Sequence, residues 1–292
     1  MKSDNSRHHA YIQFVSSMLI IGTIGVFRRY IPLPSSVLAC LRGLIGAVSL
    51  CVFVKIKGGK IGHETQGRQL ASLFLTGAVL GFNWMLLFEA YRYTTVAVAT
   101  LCYYLQPTIV ILVSPVFFHE RLTKRKLLCA LIALAGMVLV SGVAGDGAAG
   151  ENLKGILFGL AAAVFYSMVV ILNKRITDVD SYEKTIIELF SSAVILIPYI
   201  LLTETNGETS INSITVLLVL IVGVVHTGIV YALYFGSMEH MEAQAVAVLS
   251  YIDPVVAVLV SALFLKEPLG VAELAGACLI IGAAVISERI DR

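Results

Sequence analysis

Asp253, Arg42 and Glu188 are ionisable side chains set deep within long apolar runs of a 292-residue chain. At a membrane-helix centre each such charge costs roughly 2.5 to 3.5 kcal/mol even on a lenient insertion scale. Residues kept at that cost pair with one another, relay protons or hold a polar solute. Asp253 has no obvious partner close in sequence, which makes it the first candidate for contact with a solute or a coupling proton. Arg42 and Glu188 stand 146 positions apart and carry opposite charge. They fit a structural ion pair, or a split role in which Arg42 meets a substrate carboxylate and Glu188 takes part in coupling. Glu89 lies close enough to the end of its run, beside Arg92, to snorkel outward.

His226, Asn83 and Gln106 complete the polar inventory at depth. An intramembrane histidine serves as a proton relay or simply bonds neighbouring backbone. Trp84, Tyr104 and Tyr251 lie too deep for the aromatic belts found at span ends. They suit the wall of an amphipathic cavity or a cation held against a ring face, and equally the filling of a core. These residues make up the candidate substrate contacts: Asp253, Tyr104, Tyr251, Gln106, Trp84, Asn83 and Arg42, with Asp253, Glu188 and His226 as candidates for coupling.

Other chemistries lack their residues. The five cysteines fall within or beside apolar runs without CxxC spacing or a histidine partner, so they read as buried free thiols. His119-Glu120 begins a zinc-protease HExxH, but its fifth position is Thr123. No GxxxxGK[ST] occurs, which leaves ATP-driven movement unsupported. The sequence calls for no cofactor and no metal, and a net charge of only +2 gives no nucleic-acid reading.

The elements that position these groups follow from composition. With 58% apolar and 14% charged residues and a mean hydropathy of +0.89, the chain reads as a polytopic membrane protein. A bilayer core about 30 Å thick takes about 20 apolar residues per helical span. Ten stretches qualify: 10–28, 35–54, 70–91, 94–118, 127–144, 155–172, 184–202, 213–236, 243–265 and 270–287. Helices are required because hydrocarbon offers the backbone no partners, and the runs are too continuously apolar for barrel strands. The first run lacks a convincing small-residue cleavage site and is read as a span rather than a secretory signal. With the N-terminus inside, fifteen of the 21 Lys and Arg face the cytoplasm, five face outward and Arg42 lies within span 2. That bias predicts both termini in the cytoplasm, although Arg28 and Arg29 at the outer end of span 1 run against it.

Residues 81–130 recur at 228–277 with a constant offset of 147. YYLQPTIVILVSPVFFHERL and SYIDPVVAVLVSALFLKEPL place Tyr104 with Tyr251, Pro107 with Pro254, Ser114 with Ser261 and Glu120 with Glu267. Apolar composition alone does not align a proline, a glutamate and a tyrosine, so the pattern reads as a duplication with its midpoint near Gly142 to Asn152. Five spans on each side force the second half to enter from the opposite face. The expected fold is therefore all-α and integral to the membrane, ten helices as two inverted five-helix repeats, 1–145 and 153–292. Inverted repeats are the common plan of secondary transporters, with the solute site near the midplane. Pro107 and Pro254 each remove a backbone donor, freeing the carbonyls of Tyr103 and Ser250, and matched kinks of this kind point to that site or to packing. Gly77 and Gly81, and Gly155 and Gly159, present small faces that permit close helix approach.

The segments AYRYTTVAVATLCYYLQPTIVILVSPVFFHERLTKRK and GSMEHMEAQAVAVLSYIDPVVAVLVSALFLKEPLGVAE resemble the duplicated module of the EamA branch of the drug/metabolite transporter superfamily. The specific parts are the mid-helix proline and, about a dozen residues on, Glu120-Arg121 and Glu267-Pro268. The resemblance implies ten helices, cytoplasmic termini in the plasma (inner) membrane and a central cavity for small metabolites, and many members are exporters. It brings no invariant catalytic residue, and Asp253 replaces the uncharged residue frequent before this proline. The expected partners are a small-molecule substrate, the lipid bilayer and candidate coupling protons. Two mechanisms stay open: export of amino acids or related amphipathic metabolites, and proton-coupled carriage of organic cations. A membrane protein without transport activity is the third and weaker reading.

Overall fold

The computed structural model describes residues 2–59, 65, 67–118, 123–141, 150–176, 179–204, 211–238, 241, 249–250, 252–267 and 269–290. Tyr251, Glu120, Arg121, Pro268 and most of the 142–152 connection lie outside the described residues. Every regular element among those described is helical. The first half contributes α1 (Lys2–Gly22), α2 (Ile24–Arg29), α3 (Ser35–Ile56), α4 (Arg68–Tyr93), α5 (Val96–Tyr103), α6 (Gln106–Phe118) and α7 (Lys124–Ser141). The second contributes α8 (Gly150–Lys174), α9 (Ser181–Thr203), α10 (Ser213–Leu220), a π-helical segment (Ile221–Ile229), α11 (Val230–Met238), α12 (Ile252–Phe264) and α13 (Val271–Ile290).

Local chemistry explains several helix starts. Asp180 accepts from the amides of Tyr182 and Glu183, Asn212 from Thr215, and Thr95 from Val98, each satisfying donors the first turn leaves open. Among the described residues seven helical runs are long and apolar enough to cross a membrane. They are His8–Arg29, Ser35–Ile56, Arg68–Tyr93, Val96–Val113, Asn152–Lys174, Ser181–Thr203 and Ser213–Ser237. The stretches read as spans 5, 9 and 10 contain shorter apolar helices, Leu127–Gly136, Ile252–Phe264 and Leu274–Ala283. Val48, Val52 and Ile56 on α3, Leu201 and Leu202 on α9 and Val216, Leu217 and Leu220 on α10 point outward, a surface suited to hydrocarbon and not to water.

The two halves interleave. α4 packs along α8 and α9, α3 on α9 and the π segment, α1 on α11 and α12, α5 on α8, and α7 on α13. The small faces lie at these contacts. A Cβ on Gly81 would stand 2.7 Å from the Ser192 carbonyl oxygen, and one on Gly155 would stand 2.6 Å from Thr94 Cβ. α4 and α9 thus approach backbone to backbone, which only a residue without a side chain allows.

Candidate functional site

A cavity of about 410 Å³ lies within the bundle, and five sequence-selected residues line it: Arg42, Trp84, Tyr104, Gln106 and Asp253. Glu188 lines it as well. They arrive from α3, α4, the α5–α6 junction, α9 and α12, so the site exists only in the assembled fold.

Arg42 projects from α3 and is buried. Its guanidinium carbon sits 3.9 Å from the centre of the Trp84 ring and 5.8 Å from that of Phe88, within the range of cation–π attraction. Its Nε donates to Thr227 Oγ1 at 2.9 Å, and the Thr227 hydroxyl donates in turn to the Val222 carbonyl at 3.1 Å. That last bond spans five positions, the spacing of a π-helix, whose wider turn carries Thr227 to the arginine. The ion pair entertained for Arg42 and Glu188 is not formed. Among the described residues only Arg29–Glu267 and Arg92–Glu89 pair as ions.

Asp253 stands in the first turn of α12, where its Oδ2 accepts a hydrogen bond from the Tyr104 hydroxyl. The sequence near Asp253 offers no partner, and the fold supplies one from a break in the chain. α5 stops at Tyr103, Tyr104 turns, and α6 begins at Gln106, so the discontinuity falls just before Pro107. Leu105 closes the turn by donating to the Cys102 carbonyl at 3.2 Å, and Ser167 Oγ on α8 donates to the Gln106 carbonyl at 3.1 Å. Pro254 lies near the start of α12, with Leu249 and Ser250 also helical and Tyr251 between them outside the described residues. Tyr103 sets its ring edge-on to Tyr104 and to Tyr166, with centroids 5.8 and 5.5 Å apart, forming an aromatic wall.

Two predicted residues sit elsewhere. Asn83 is fully buried, does not line the cavity, and donates from Nδ2 to the Ala162 carbonyl at 2.7 Å, tying α4 to α8. His226 is also set back from the cavity. Its Nε2 meets Thr23 Oγ1 at 2.8 Å, Nδ1 faces the Ile221 carbonyl at 3.4 Å, and Phe27 presses on the ring. Thr227, Tyr166 and Asn173 are cavity or cavity-support residues that sequence reasoning missed. Of these only Asn173 carried a signal, an amide just inside the basic pair Lys174-Arg175.

A second chamber of about 640 Å³ opens at the end of the bundle that carries the 30–34 turn. Arg28, Arg29, Glu89, Arg92 and Glu204 line it. Arg28 donates to the Ile31 carbonyl at 2.7 Å and to Ser35 Oγ at 3.1 Å, Ser35 donates to Glu89 at 2.6 Å, and Arg92 donates to Glu89 at 2.9 Å. Tyr91 borders both chambers, its hydroxyl 3.2 Å from Thr100 Oγ1.

The model of the EamA-like transporter family matches the sequence twice, over residues 8–142 and 153–288. An uncharacterized transporter of Bacillus subtilis, YxxF, is 29% identical over 90% of this chain and 84% of its own length. The aromatic amino acid exporter YddG of Ancylobacter novellus is 28% identical over 72% of each. A solved structure titled only as the crystal structure of a protein superposes with a TM-score of 0.71 over 97% of each chain at 22% identity, a likeness of fold.

Proposed function

The chain belongs to the EamA-like transporter family, and on that premise we propose that it is a secondary transporter exporting amino acids or related amphipathic metabolites across the inner membrane by alternating access. Ten spans arranged as two inverted five-helix repeats, 1–145 and 153–292, carry the mechanism, with both termini in the cytoplasm. The double family match supports the repeat. α7 and α13, of 18 and 20 residues, reach about 27 and 30 Å at the helical rise, enough to cross. In this topology the 640 Å³ chamber faces outward, and the central cavity holds the solute between the halves.

The observation that carries the reading is Arg42, a buried guanidinium at the cavity wall that pairs with no carboxylate among the described residues. A guanidinium whose Nε is engaged and whose face is stacked still offers the two terminal nitrogens to a planar carboxylate. Tyr104, Gln106 and Trp84 then meet the rest of the solute, and Asp253 with Tyr104 serves its amino group or the coupling proton. The relative named for aromatic amino acid export fits a cavity walled by tyrosines, and aromatic amino acids are the first substrates to try. In proteoliposomes loaded with labelled phenylalanine, the wild type exchanges label against external phenylalanine and Arg42→Ala does not. Equal exchange by the two proteins would overturn the assignment.

A second reading, proton-coupled carriage of an organic cation, draws on the presence of both Asp253 and Glu188 at the cavity against the single Arg42. Label exchange driven by a hydrophobic amine without a carboxylate, surviving Arg42→Ala and lost in Asp253→Asn, would favour it.

A further inference from the structure

Glu188 on α9 and Asn173 at the end of α8 both line the central cavity. Each carries a side-chain oxygen that can accept a hydrogen bond. Glu188 Oε1 and Asn173 Oδ1 are buried and have no hydrogen-bond partner among the described residues, and Glu188 is 6% exposed.

Among the described residues no cation forms an ion pair with Glu188. Lys184, one turn before Glu188, donates from Nζ to the carbonyls of Asn173 and Ile176 at 3.0 and 3.2 Å, and so covers the open end of α8. Arg42 lies against Trp84 and Thr227. Asp253, the other acid at this cavity, already accepts from Tyr104. A carboxylate taken out of water with an empty oxygen costs several kcal/mol unless a cation answers it. Tyr166 and Tyr231 also line the cavity and offer ring faces that attract a cation further.

We infer that Glu188 and Asn173 form a subsite for a monovalent cation, separate from the carboxylate contact at Arg42. Its occupant is the protonated amino group of the transported solute or a free alkali ion, since both present a single positive charge to two oxygen acceptors. The inference rests on the transport reading for its purpose, but binding alone tests it.

The purified protein is heated at constant ionic strength in sodium, methylammonium or N-methylglucamine chloride. The wild type is expected to gain thermal stability saturably in sodium or in methylammonium relative to N-methylglucamine, because a ligand of the folded state raises the melting point by mass action. Glu188→Gln should abolish the gain, and Asn173→Ala should raise the half-saturating concentration about tenfold, the loss of one charge-assisted bond. Arg42→Ala should retain it. Stabilisation by sodium assigns a free ion, and stabilisation by methylammonium alone assigns the solute's amino group. No gain with either salt, or the same gain in Glu188→Gln and Asn173→Ala, overturns the subsite, as does a dependence on proton concentration alone. If Glu188→Gln fails to fold, Asn173→Ala decides. Cation binding without phenylalanine exchange would leave the subsite standing and refute the transport assignment instead.

Discussion

Glu267 caps the start of α5 from the far half of the chain: its carboxylate accepts from the Val96 amide at 2.9 and 3.1 Å. The same carboxylate pairs with Arg29 at 3.3 Å, and Arg29 also donates to the Thr94 carbonyl at 2.6 Å. Lys266, just before it, adopts a left-handed φ of 54°, uncommon without glycine, and so makes the turn that presents Glu267. The glutamate of the repeated acidic turn therefore ties α2, α5 and the turn after α12 together at one end of the bundle.

Glu267→Ala should lower the melting temperature by the loss of a cap, about 1 kcal/mol. It should also loosen that end. A cysteine placed at Thr95 is expected to react faster with a water-soluble maleimide in the Glu267→Ala background than in the parent, and an unchanged rate would show that the contact does not hold the end closed.

Arg42→Lys should lose most of the exchange that Arg42→Ala abolishes. Lysine keeps the charge but neither stacks flat on Trp84 nor reaches Thr227 with a fixed Nε while offering a fork to carboxylate. Trp84→Leu should weaken affinity by about 0.5 to 2 kcal/mol through loss of the cation–π contact. Initial exchange rates against substrate concentration measure both.

Tyr104 and Asp253 form one hydrogen-bonded unit, so Tyr104→Phe and Asp253→Asn should not add. Their coupling in a double-mutant cycle of substrate affinity is expected at about 0.5 to 3 kcal/mol. Additive effects would mean that the hydroxyl and the carboxylate act separately. Asp253→Asn should also separate coupled movement under a pH gradient from downhill exchange, abolishing the first and sparing the second.

Asn83→Ala should cost stability and not affinity. Removing the donor leaves the Ala162 carbonyl buried without it, a loss of about 1 to 3 kcal/mol, while the half-saturating substrate concentration stays at the wild-type value. A changed affinity at unchanged melting temperature would return Asn83 to the cavity wall.

Gly81→Leu should fail to accumulate as folded protein, because α9 would have to move away from a side chain directed at the Ser192 backbone. Gly81→Ala is the milder test. Wild-type yield and flux in both would show that the α4–α9 seam is loose.

The chemistry at depth was legible because charge in hydrocarbon is costly wherever the chain runs: Arg42, Asp253 and Glu188, chosen by depth alone, all reach one cavity. Their partners were not legible. Tyr104 is 149 positions from Asp253 and Thr227 is 185 from Arg42, separations that no local pattern encodes. The π segment was hidden for another reason, since IVGVVHTGI has the composition of an ordinary apolar span. Depth also placed Asn83 among the substrate contacts, whereas the fold sets it off the cavity: a polar side chain at the midplane answers its desolvation equally well by bonding backbone, as Asn83 does to Ala162. Near Pro107 the helix is interrupted between Tyr103 and Gln106, while the described residues on both sides of Pro254 are helical.

Tyr91 lines both chambers, with its hydroxyl 3.2 Å from Thr100 Oγ1. A side chain shared by two rooms answers to whatever fills either one, so a substitution at Tyr91 would alter both walls at once.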